Sequence, residues 1–145
     1  MKRSILSLSL LLALPLTAQM AGPSIAHAAA MKVTLNVASA YKHKMAFAHT
    51  MASATVTQVK SGDYRVTVTT EKLPMPSAVH QMDYVVWLTN GNMKVRAGAL
   101  KVNNGMASLK ATVMISKVTD VVVTGEHSAM PAHPMGPTVL SGMVG

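Results

Sequence analysis

The 145-residue chain has no cysteine. Disulfides, thiolate zinc sites, cysteine nucleophiles and a cysteine-linked lipid anchor are therefore excluded. Aromatic residues are nearly as scarce, at one Trp, one Phe and three Tyr. A core must then be filled by Val, Leu, Ala and Met. Acidic residues number only five, Asp63, Glu71, Asp83, Asp120 and Glu126, and they stand singly. No two are placed as a general acid and base. There is no Gly-x-Ser-x-Gly elbow, phosphate loop or dinucleotide fingerprint. These absences point away from an enzyme. The length suits one domain. A hydrophobic share of 50% excludes a disordered chain, because enough apolar surface is available to offset chain entropy.

The N-terminus reads as an export signal. Lys2 and Arg3 precede the apolar stretch Ile5–Leu16, and Ala26-His27-Ala28 supplies a small-x-small cleavage site. The stretch is shorter than the roughly 20 residues of a membrane-spanning helix. We therefore expect a signal peptide over 1–28, a single domain over 29–145, and an extracytoplasmic location, periplasmic or secreted. A retained signal would anchor the chain at the plasma membrane. The mature part shows no further transmembrane span.

Without Lys2 and Arg3, 11 of the 13 basic residues remain against five acidic ones, a formal charge of +6. They are scattered from Lys32 to Lys117 with no basic run and no interleaved aromatics. This is the pattern of solvated strand faces rather than of a nucleic-acid surface.

The hydrophobic pattern has period two. Asp63–Thr70 places Tyr64, Val66 and Val68 on one face, and Ser108–Ile115 does the same with Leu109, Ala111, Val113 and Ile115. Tyr84–Leu88 and Val121–Val123 read as central strands. Ser61-Gly62-Asp63, Asn90-Gly91-Asn92 and Asn103-Asn104-Gly105 carry turn chemistry. The expected strands are Lys32–Ser39, Thr50–Lys60, Asp63–Glu71, Met82–Thr89, Met93–Val102, Met106–Ile115, Thr119–Glu126 and Thr138–Val144. Their spacing predicts an all-β, two-sheet antiparallel β-sandwich of immunoglobulin or cupredoxin type. A phase slip near Gly98 predicts a bulge. The proline-bearing segments Leu73–His80 and His127–Pro137 are expected to be ordered loops, the second carrying the functional surface. Trp87, in the most apolar strand, is expected to be the central aromatic of the core.

Tyr84-Val85-Val86-Trp87-Leu88, the turn Asn90-Gly91, Ala97-Gly98-Ala99-Leu100, Val121–Glu126 and Gly136-Pro137-Thr138-Val139-Leu140-Ser141-Gly142 follow in an order that resembles the C-terminal extracytoplasmic domain of anti-sigma-K factors, over about residues 74–142. The resemblance implies a β-sandwich without a catalytic centre that acts in sensing, interaction or structure, with a protein partner the sequence does not name. The family's membrane helix and cytoplasmic sigma-binding region have no counterpart here, so sigma binding is not implied.

One constellation stands above background. Four of the five histidines after residue 28 head a His-x-Met pair: His43/Met45, His49/Met51, His80/Met82 and His133/Met135. The fifth, His127, is followed by Met130. Chance placement gives roughly half of one such pair. On a strand, residues i and i+2 share a face, so imidazole and thioether would converge. That soft donor set suits copper, Cu(I) ahead of Cu(II). The expected metal ligands are His43, Met45, His49, Met51, His80, Met82, His127, Met130, His133 and Met135. The competing expectation is that methionine serves as flexible core filler, Met75, Met106 and Met114 included.

Overall fold

A computed structural model describes residues 29–145. The expected signal peptide, 1–28, lies outside the described residues. Eight strands follow in order: β1 (Ala30–Val37), β2 (Met51–Lys60), β3 (Asp63–Glu71), β4 (Asp83–Thr89), β5 (Lys94–Leu100), β6 (Ala107–Met114), β7 (Asp120–Glu126) and β8 (Thr138–Met143). Each expected strand is present, with bounds displaced by up to two residues. Short helical turns at Met45–Phe47 and Pro76–Val79 interrupt two of the connections.

The strands form one antiparallel sheet in the order β5-β4-β7-β8-β1-β2-β3-β6. The sheet curls until its edges, β5 and β6, pack side by side, so the fold is all-β and nearly a barrel. The two halves of the sheet are joined through β1. Its residues Ala30–Leu35 pair with β2, whereas Asn36 and Val37 pair with β8. The period-two pattern explains the closure. Ala52, Ala54 and Val56 of β2, Val66 and Val68 of β3, Tyr84, Val86 and Leu88 of β4, and Val121 and Val123 of β7 all face one continuous core. The predicted bulge is in β5, where Val86 pairs with Gly98 but Trp87 pairs with Arg96, leaving Ala97 as the extra residue. It lets Val95 and Leu100 both point inward despite their odd spacing.

Two expectations about the core are corrected. Methionine takes no part in it. All eleven methionines of the described residues are exposed, from Met31 at 37% to Met45 at 91%. Val, Leu and Ala fill the interior instead, because inward positions on closely paired strands leave room for compact β-branched and small side chains. Trp87 is fully buried, but not in the central core. Alternation along β4 sends Tyr84, Val86 and Leu88 inward and Val85 and Trp87 outward. The central aromatics are Tyr64, Tyr84 and Phe47.

Candidate functional site: the loop end of the sheet

Because every neighbour pair is antiparallel, successive strands run up and down, and the connections alternate between two ends. Residues 38–50, 72–82, 101–106 and 127–137 all lie at one end. The short connections 61–62, 90–93 and 115–119 lie at the other. We call these the loop end and the hairpin end.

All five histidines of the described residues lie on loop-end connections: His43 and His49 before β2, His80 before β4, and His127 and His133 between β7 and β8. Seven methionines share that end, namely Met45, Met51, Met75, Met82, Met106, Met130 and Met135. The early and late His/Met groups, separated by roughly half the chain, thus belong to one end of the molecule. All five histidines and their following methionines are exposed.

The grouping does not arise from strand alternation. In none of the four His-x-Met pairs do both residues sit in a strand. Met45 is in a helical turn, Met51 is the first residue of β2, His80 takes a left-handed conformation after a helical turn, and His133 and Met135 lie in the late loop. Connections concentrate them, not the face of a strand. Among the described residues, no three His, Asp or Glu side chains converge as a metal-holding group. Any ion held here would depend on thioethers as well as imidazoles.

The early group has the more defined setting. Phe47 is buried and packs against Tyr41 with ring centroids 5.4 Å apart, which anchors the 38–50 connection to the core. Thr50 Oγ1 donates to Lys72 O at 2.8 Å, tying the same connection to the end of β3. His49 and Met51 then line a cavity of about 490 Å³ with Glu71 and Lys72. A neighbouring cavity of about 700 Å³ shares Met51 and Glu71 and adds Met106 and Lys101. Lys101 forms an ion pair with Asp83 at 3.1 Å. One imidazole, two thioethers and one carboxylate therefore border adjoining cavities.

The late group rides on a latched loop. Glu126 at the end of β7 is 2% exposed. Its carboxylate accepts bonds from the backbone N–H groups of Met135 and Gly136, with nearest distances of 3.1 Å, and from Thr124 Oγ1 at 2.5 Å. Thr124 Oγ1 in turn accepts from Trp87 Nε1 at 2.9 Å. Arg96 Nη1 donates to Pro131 O at 2.7 Å, and Gly125 N to Pro137 O at 2.9 Å. The loop 127–137 is thus drawn over the outward face of β4, β5 and β7, where Trp87 lies. Gly136 permits this, since a Cβ there would stand 1.6 Å from Gly125 O. The sequence marks 127–137 as a loop, but Glu126 as its latch was missed. A lone buried carboxylate preceding a loop is a signal only once its partners are known.

The segments that carry the anti-sigma-K resemblance form β4, β5, β7 and β8, which lie side by side. Compared with protein families, with curated proteins and with solved structures, the chain matches none.

Proposed function

We propose that this chain is a non-enzymatic, extracytoplasmic β-domain whose loop end binds a soft metal ion, Cu(I) before Cu(II). The observation that carries the proposal is the gathering of all five described histidines and seven exposed methionines at one end of an antiparallel sheet. Buried methionines would be core filler; exposed ones beside imidazoles are available donors. The chain's own residues would supply neutral imidazole and thioether from 43–51, 80–82 and 127–135. Thioethers need no deprotonation, so their share of the affinity persists in acid, whereas the imidazole share weakens. The resemblance to the anti-sigma-K extracytoplasmic domain supports a role as a sensory or interaction module, with the latched loop 127–137 as its contact surface. A metal ion bridging early and late loops would be compatible with that role.

The test replaces Met45, Met51, Met130 and Met135 with Leu. The substitution keeps volume and apolarity at exposed positions, so folding should be unaffected. Competition against a chromophoric Cu(I) chelator should show affinity falling at least about tenfold. Unchanged affinity would remove the methionines from the site.

A further inference from the structure

The metal proposal accounts for at most seven of the eleven described methionines. Met31, Met93, Met114 and Met143 sit towards the hairpin end, where the described residues include no histidine. They are nonetheless 37%, 54%, 81% and 82% exposed. Methionine is ordinarily among the residues most often buried, so eleven exposed out of eleven is a sorting that packing does not explain. Most of the oxidisable aromatic side chains are sorted the opposite way, with Tyr41 half-buried. Trp87, Tyr64 and Tyr84 are buried, and cysteine is absent.

We propose that the whole methionine surface is a modification site, an expendable sink for two-electron oxidants such as hypochlorous acid and hydrogen peroxide. In each event the thioether sulfur gives two electrons and gains one oxygen. Hypochlorous acid is reduced to chloride with release of a proton, or peroxide to water, and the residue becomes methionine sulfoxide. In most folds this makes a buried apolar group polar and disrupts packing. Here ten of the eleven methionines are more than half exposed, so the new S–O dipole meets water and the Val/Leu/Ala core is unchanged, while Met31, 37% exposed, lies at the rim of that core opposite Val56. Methionine sulfoxide reductases, which act on exposed sulfoxides, regenerate the thioethers.

The experiment uses the full chain, treated with a chelator so that metal plays no part. Hypochlorous acid is added stepwise, and peptide mapping follows gains of about 16 Da per methionine. The eleven methionines should convert before Trp87 or any tyrosine is modified. Cooperative unfolding and Trp87 emission should be retained, and the reductases should return the mass to its starting value. A variant with Met31, Met93, Met114 and Met143 changed to Leu should consume about four fewer equivalents in the fast phase yet bind Cu(I) as the parent does. Failure of Cu(I) binding in the parent would leave these outcomes untouched, so the two proposals fall separately. The sink is overturned if unfolding or a Trp87 emission shift accompanies the first few oxidations. It is also overturned if the oxidant is consumed by Lys and His while the methionines persist, or if the four-Leu variant consumes as much as the parent.

Discussion

Replacing Glu126 by Ala should release the loop 127–137 from the outward face of the sheet. If the loop stayed in place, the N–H groups of Met135 and Gly136 and the Thr124 hydroxyl would lose their shared acceptor. Each unsatisfied part-buried donor costs about 1–3 kcal/mol, or about 2–6 kcal/mol for the two N–H groups once the hydroxyl has rotated to another partner. If the loop lifted, those donors would be hydrated and the cost would be exposed apolar surface. A buried Trp covers about 150–250 Å². Exposing the outward half of Trp87 at about 25 cal/mol per Å² costs roughly 2–3 kcal/mol. Lifting is the cheaper response, so the variant should open locally while the central core persists. Trp87 is the only tryptophan, so fluorescence reports this directly. Emission should move towards that of solvated indole below the thermal transition, and Tm should drop by about 8–12 °C for a domain of this size. Glu126→Gln, which keeps one acceptor oxygen, should fall between variant and parent. An emission maximum unchanged in Glu126→Ala, with Tm within about 2 °C of the parent, would refute the latch.

Gly136→Ala should produce the same Trp87 shift by steric means, because its Cβ would overlap the Gly125 carbonyl; a parent-like emission spectrum would count against the tight crossing. Burial, with a smaller contribution from Tyr41, pushes the Tyr84 phenol above its ordinary value. The folded state thus favours the protonated form, whose contribution is complete below about pH 10 and is lost as pH rises above it. Tyr84→Phe should cost about 1 kcal/mol near neutrality, through the bonds to Pro74 O and Met75 O. It should also flatten the alkaline decline in chemical-denaturation midpoints; parallel profiles for the two proteins would dismiss the assignment.

The strands were legible because Val, Thr and Ala alternate along them with few exceptions, and because Asn and Gly mark the turns. Positive φ at Gly62, Gly91, Asn104 and Gly105 meets the turn chemistry of those segments. The bulge in β5 was legible from the phase slip alone. The position of Trp87 was not. An apolar run such as Tyr84–Leu88 signals a strand buried on both faces, but does not say which face meets the core and which meets a loop. The answer depends on Glu126, Thr124 and Arg96, which come from two other strands. Methionine exposure was also hidden. Met106 and Met114 bracket β6 at its ends, and composition could not separate the end of a strand from its inward face. The common location of the His/Met groups follows only from the up-and-down strand order.

The curled sheet also fixes a direction. β1 begins, and β8 finishes, at the hairpin end, so residue 29 and Gly145 both leave the domain opposite the histidine-bearing loops. A chain held to a surface through the segment before residue 29 would present those loops outward, away from the point of attachment. A fusion partner added after Gly145 would likewise leave them unobstructed. Both ends of the domain can therefore be immobilised or extended without approaching the face on which the proposed metal chemistry takes place.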